Sequence, residues 1–274
     1  MKMFKRLTAR YRYSLILLRQ MVITDFKLRY QGSALGYVWS LLRPLLLFVI
    51  LYIVFGKFLR IGDGVPHYPV YLLTGIVLWS FFAEITNNGV AAIVNRGDLI
   101  RKLNFPKFVI ILSTAFSALI NLGLNLIVIG FFLYISKVDI GWSALIWSPL
   151  LILEIFVFGI SLAFILSALF VRLRDVNYIW EVLMQAMFYA TPIIYPITLV
   201  SERWPEVAKL LLLNPVAQAI QDVRYVAITP TTQTLTDLTS NIWLALSPFV
   251  LVATLAAVAV VFFKKRSPTF AEEV

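Results

Sequence analysis

Few residues in this chain could do chemistry, and those that could lie inside long apolar runs. Glu84 and Glu154 fall within stretches of Val, Leu, Ile and Phe, where ionisable side chains are rare and costly. Arg43 stands just before Pro44, a few residues into the first such run. At a rise of ~1.5 Å per residue, Arg43 and Glu84 come within a turn or two of each other in depth. That placement fits a structural or gating ion pair, and equally a charge facing a substrate. Ser113, Ser117, Asn121 and Asn125 recur every four residues, so they share one helical face. The expected role of this stripe is interhelical hydrogen bonding, worth roughly 0.6–2 kcal/mol per contact; the alternative is a wet translocation surface.

Aromatic residues make up 15% of the chain. Trp39, Trp142, Trp147 and Trp243 are expected at the two membrane interfaces. Others form lines: Phe48, Tyr52 and Phe55 at 4-then-3 spacing, and Tyr178, Gln185, Phe188, Pro192 and Tyr195 on one face. Rings pack against the C–H faces of sugars while a Tyr hydroxyl hydrogen-bonds; ordinary packing between helices competes with that reading. No G-x-x-x-x-G-K-[ST], H-E-x-x-H or G-x-S-x-G occurs, so the chain shows no phosphate-cradling loop, zinc-protease helix or nucleophile elbow. The one histidine, His67, has no cysteine or carboxylate cluster to join, and neither a catalytic residue nor a metal site is expected.

The elements that must position these residues are membrane helices. Hydrophobic residues reach 61% and charged residues only 14%, with a mean hydropathy of +0.87. Soluble domains carry about 25% charged residues, so a soluble enzyme is excluded. Disorder is excluded with it. Six segments have the roughly 20-residue length of a span: about 36–56, 69–91, 108–135, 145–171, 177–198 and 241–263. The fold class is therefore an all-α membrane protein. Its parts are a tail and interface helix over 1–35, a six-span domain over 36–264 and a tail over 265–274. Residues 1–30 carry eight Lys and Arg without the compact apolar core of a cleavable signal.

With six spans, 18 of the 24 Lys and Arg fall on one side, which sets both termini in the cytoplasm. Topology thus accounts for the net charge of +10, and no nucleic-acid partner is needed. Residues 10–30 place Tyr11, Leu15, Leu18, Val22 and Phe26 on one stripe with Arg12, Gln20, Thr24 and Lys27 largely opposite, as in a helix lying against anionic headgroups. On the outer side, 204–213 and 216–228 are apolar half-helices broken at Asn214-Pro215, each too short to span, and read as a re-entrant or interfacial hairpin. Gly159, Ala163 and Ser167 form a small-residue ridge for close helix packing.

Three stretches resemble one family. FKLRYQGSALGYVWSLLRPLL (26–46) looks like the approach to the first span of permeases from polysaccharide-exporting ABC transporters. NRGDLIRKLNFPK (95–107) resembles that family's cytoplasmic coupling segment, and LRDVNYIWEVLMQAMFYATPIIYP (173–196) its fifth span with the Thr-Pro-Ile-Ile-Tyr-Pro exit. The resemblance implies export of O-antigen, capsule, teichoic acid or a related lipid-linked glycan across the bacterial cytoplasmic membrane. It implies a homodimer with two separate ATPase subunits, so that ATP and Mg bind the partner subunit and no cofactor binds this chain. It also implies a sugar path bordered by the first and fifth spans, onto which Tyr52, Phe55, Phe188 and Tyr195 map. In the coupling segment the apolar Leu99, Ile100, Leu103 and Phe105 would enter a groove of the ATPase, steered by Arg96, Arg101 and Lys102. Competing functions are an ABC exporter of drugs or lipids, an ion-coupled carrier using Glu84 or Glu154 as relay, and a sugar-transferring membrane enzyme.

Overall fold

The structure, a computed structural model, describes residues 2–29, 32–33, 35–103 and 105–273, with side chains given for residues 14–27 and from Gly32 onward within those ranges. The expectations for Tyr11 and Arg12 lie outside the described side chains. All regular structure among the described residues is helical. The chain opens with α1 (Lys2–Arg29), the helix expected over 10–30. Its inward face differs from the predicted stripe: Ser14 and Met21 are buried and Leu17 and Leu18 pack on the core, while Leu15 is 64% exposed. The seam against α5 follows the i, i+3, i+4, i+7 spacing from Ser14.

A 3-10 turn (Gly36–Val38) leads into α2 (Trp39–Leu51), which continues as a π-helical segment (Tyr52–Phe58). Next come α3 (Tyr68–Val90), α4 (Gly97–Lys102), α5 (Phe108–Ile135) and α6 (Trp142–Phe170). Then follow α7 (Val176–Ala190), α8 (Thr198–Ser201), α9 (Pro205–Leu212), α10 (Pro215–Ala227) and α11 (Leu235–Leu238). The chain closes with α12 (Ile242–Arg266) and α13 (Phe270–Glu273).

Among the described residues five helical stretches are long and apolar enough to cross a bilayer: Gly36–Phe58, α3, α5, α6 and α12. The predicted fifth span, 177–198, is instead a 15-residue helix, α7, followed by an irregular turn. Proline explains the break. Thr191, preceding Pro192, is extended at φ −79°, ψ 133°, because the proline ring disfavours helical geometry one residue before it. The turn is nevertheless an interior feature, with Ile193 and Ile194 buried.

The core is built around α3, which packs on α2, α5, α6, α7 and α10 and buries residues on every side, as an apolar helix must when ringed by neighbours. The small-residue ridge on α6 serves this packing. A Cβ on Gly89 of α3 would sit 2.5 Å from the Ala163 Cβ, and one on Gly159 would sit 3.2 Å from Ile85. The Asn214-Pro215 break appears as read. Asn214 caps α10 by accepting from the Val216 N–H at 3.0 Å, and Pro215 takes the first helical position. α10 is buried along most of its length against α6, α3 and α12.

Candidate functional site

Between α2, α3 and α5 lies a cavity of about 670 Å³. Its lining is unusually polar for the interior of apolar helices: Ser40, Arg43, Ser80, Glu84, Asn87, Asn88, Asn121 and Asn125, with Trp39 at the rim. Arg43 and Glu84, paired in depth by sequence, thus share one chamber. Asn121 Nδ2 donates to both oxygens of Glu84, at 2.9 and 3.1 Å. Asn125 Nδ2 donates to the Asn121 carbonyl at 2.8 Å and to the Ser40 carbonyl at 3.3 Å. The second bond has a local cause. Pro44 has no N–H for the carbonyl four residues back, which leaves Ser40 with an acceptor that Asn125 meets. The stripe on α5 thus joins helices through Asn121 and Asn125, and these two also line the cavity.

A second cavity, of about 400 Å³, lies between α3 and α7 and is lined by Trp79, Ala83, Asn87, Glu181, Met184, Gln185, Phe188 and Tyr189. Ala83 and Asn87 border both cavities, so this stretch of α3 is a wall shared by the α2 side and the α7 side. Phe188 meets Trp79 edge-on at 5.9 Å. The other three rings proposed for a path line neither cavity. Tyr52 stacks on Phe48 at 5.8 Å and lies near Tyr68, and Phe55 packs on the core. Tyr195 donates its hydroxyl to the Tyr189 carbonyl at 3.1 Å. The π-helical winding from Tyr52 onward changes which residues share a face, so the 4-then-3 spacing no longer applies there. The most exposed rings of α7 are Tyr178 and Tyr189.

At the end of the bundle carrying α10, Arg224 is fully buried. Its Nε donates to the Tyr71 carbonyl at 3.0 Å. One terminal nitrogen donates to the Pro192 carbonyl at 2.6 Å and to Gln221 Oε1 at 2.8 Å, and the other to the Ile193 carbonyl at 2.8 Å. The guanidinium also lies 3.6 Å from the Tyr71 ring centroid, a cation–π contact. Gly75 makes the space: a Cβ there would stand 2.2 Å from Arg224 Nη2. Tyr68 adds a bond from its hydroxyl to the Ile194 carbonyl at 2.7 Å. The turn that breaks α7 is thus tied to α3 and α10 through carbonyls that proline and irregular backbone leave without helical partners. Nothing in the sequence singled out Arg224; the available signal was an Arg one turn after Gln221 on the same helix.

Nearby on α10, burial pushes the Asp222 carboxyl up to about 6, against the hydrogen bond it accepts from Gln218. Glu154, on α6, is buried, and neither carboxylate oxygen has a hydrogen-bond partner among the described residues.

The opposite end gathers α1, α4 and α13. Arg96 turns inward, pairing with Asp25 of α1 and donating to Ser113 Oγ of α5 at 2.9 Å; Ser113 in turn donates to Asp25 at 3.2 Å. Ile100 and Phe105 are buried in the chain's own core. The outward part of the predicted coupling segment is therefore Asp98, Arg101, Lys102 and Leu103, with Leu99 half-buried. Arg101 pairs with Asp98 at 2.7 Å. The C-terminal segment braces this element: Lys107 Nζ donates to the Ser267 carbonyl at 2.7 Å, and α13 packs on α4.

Residues 16–228 match the ABC-2 type transporter family. The O-antigen export system permease protein RfbA of Klebsiella pneumoniae is 32% identical over 201 residues, covering 72% of this chain and 74% of that protein. The protein of the same name from Myxococcus xanthus is 30% identical, over 73% of this chain and 75% of its own length. The polysialic acid transport protein KpsM of Escherichia coli is 25% identical over 73% of this chain and 76% of its own length. The chain is a multi-pass membrane protein that belongs to the ABC-2 type transporter family and stands there beside the O-antigen export permeases.

Proposed function

We propose that this chain is the transmembrane subunit of an ABC exporter that moves a lipid-linked cell-envelope polysaccharide across the bacterial cytoplasmic membrane. Two copies would form the permease and two ATPase subunits would bind ATP and Mg. Both termini would then be cytoplasmic, with α1 beside the headgroups and α4 facing the ATPase. In this reading α7 and its buried turn make the sixth crossing. Fifteen helical residues reach about 22 Å, and the irregular turn from Thr191 onward would supply what is missing of a ~30 Å core.

The observation that carries the reading is the polar and aromatic lining where α3 meets both α2 and α7, in a chain similar to proteins named for O-antigen export and polysialic acid transport. A hydrated polymer needs such a lining, whereas a lipid or drug exporter would present a more uniformly apolar one. The test is deletion of the gene with complementation from a plasmid. The expected outcome is loss of surface glycan with lipid-linked glycan accumulating inside the cytoplasmic membrane. Normal surface glycan in the deletion strain overturns the proposal.

A further inference from the structure

The outstanding feature of α3 is that a helix buried on nearly every side opens at Asn87 and Asn88. Both are exposed, while Ile85, Thr86, Gly89 and Val90 around them are buried. Neither amide takes a hydrogen bond among the described residues. An amide is costly to leave against hydrocarbon, so these two need a polar occupant. Asn87 borders the α2-side cavity, the α7-side cavity and a third of about 260 Å³ that also holds Asp25 and Arg96; Asn88 borders the first and third. The three chambers therefore meet at Asn87, and two of them also at Asn88.

The chemistry of the walls selects the occupant. Amides of Asn87, Asn88 and Asn121 both donate and accept. Glu84 accepts from hydroxyls, and the Trp39 ring, 44% exposed at the rim, offers an apolar face. The wall carries one cation, Arg43, and one carboxylate, Glu84, whose charges offset each other, so nothing in it gives an anion a net attraction and a neutral polyhydroxylated ring is suited. The chamber volume of about 670 Å³ falls in the roughly 300–1,000 Å³ range of small-ligand sites.

We propose that Glu84, Asn87 and Asn88 of α3, with Arg43 and Trp39 of α2, form a sugar-binding subsite that holds one or two residues of the glycan. This rests on the glycan-export reading and adds a hydrogen-bonding wall from α3 to a path otherwise assigned to aromatic rings of α2 and α7. A wall of amides holds successive sugars without committing to one hydroxyl pattern, because each amide can donate or accept as the ring passes.

The chain has no cysteine, so single-cysteine variants report without background. The Asn87→Cys and Asn88→Cys variants, co-assembled with the ATPase in nanodiscs, are treated with a charged thiol reagent. Melting within about 2 °C of the parent certifies the fold. Three probes are compared: lipid-linked glycan purified from the deletion strain, the same lipid anchor without sugar, and the released oligosaccharide. The expected result is labelling of both variants, slowed at least fivefold by the lipid-linked glycan and not by the unglycosylated lipid, while the Thr86→Cys variant stays unlabelled. Absence of labelling at 87 and 88 would show that a second copy covers this wall and overturns the subsite. Equal slowing by the unglycosylated lipid makes it a headgroup site, and no slowing by any probe leaves it empty; both overturn it. Failure of the export reading looks different, since the deletion strain would then yield no accumulated glycan at all.

Discussion

Arg224→Met is the sharpest test of how the broken fifth helix is held. The substitution keeps an unbranched apolar stem and removes the guanidinium. The buried carbonyls of Tyr71, Pro192 and Ile193 then lose their donors. A buried acceptor left unpaired costs about 1–3 kcal/mol, so three cost about 3–9 kcal/mol, and the cation–π contact with Tyr71 adds up to about 2 kcal/mol. Against this, a buried charge without a carboxylate partner is itself expensive, and its removal offsets part of the loss. Taking the low end, about 3 kcal/mol, and about 2–4 °C per kcal/mol for a chain of this size, the melting temperature of the purified protein should fall by about 6–12 °C. Arg224→Lys should fall less, because an ammonium keeps the charge but cannot reach all the carbonyls at once. Gly75→Ala supplies an independent arm, since its Cβ would stand 2.2 Å from Arg224 Nη2. In the Arg224→Met background the same change should cost at least about 1 kcal/mol less, a coupling expected only of groups in contact. A shift below about 2 °C for Arg224→Met, or additive effects in the double variant, would refute the clamp.

The remaining tests address other parts of the bundle. Asp222, pushed up to about 6 from its ordinary value, binds its proton more tightly folded than unfolded. Its contribution is full below about pH 4 and is lost as pH rises through 6, so Asp222→Asn should raise stability at pH 7.5 and flatten the melting profile between pH 4 and 6; an unchanged profile refutes the assignment. Asp25→Asn should loosen α1 from Arg96 and Ser113, lowering stability by about 1–3 kcal/mol and exposing α1 to protease, with the charge swap Asp25→Arg, Arg96→Asp recovering part of both. Leu103→Asp should reduce co-purification of the ATPase with little change in melting, whereas Phe105→Asp, buried in the chain's own core, should lower melting first; the reverse pattern would place Phe105 in the partner groove.

Where a helix is long and uniformly apolar, sequence arithmetic located it well. The third span was expected at 108–135 and runs Phe108–Ile135, because length and hydropathy alone set where such a helix stops. The Asn214-Pro215 break was legible because a capping Asn followed by Pro is a local signal. The fifth span misled because its apolar residues continue past Pro192 into a turn, and hydropathy does not distinguish a buried helix from a buried turn. Which face Tyr52 and Phe55 share was not legible for a related reason: the change from α to π winding at Tyr52 alters the face without altering composition. Arg96, Ile100 and Phe105 could be found as a basic-apolar segment but not sorted into inward and outward groups. That sorting depends on α1 and on the chain just after α12, whose contacts with the segment lie 71 residues away for Asp25 to Arg96 and 160 for Lys107 to Ser267.

These long-range ties also say how the two ends of the molecule could be connected. At one end Arg96 joins the α4 region to α1 and α5; at the other Arg224 joins the α7 turn to α3 and α10. Between them runs α3, close-packed on α6 through Gly89 and Gly159, where even one added methyl would collide. Small-residue contacts of this kind resist shear between helices, so α3 and α6 form a stiff centre. A displacement at α4 is then more readily taken up by α2 and α7, whose outward faces are widely exposed and which meet α3 across cavities rather than across close-packed ridges. If α4 faces the ATPase as proposed, the walls of those cavities are where a small motion there would change the width available to a polymer.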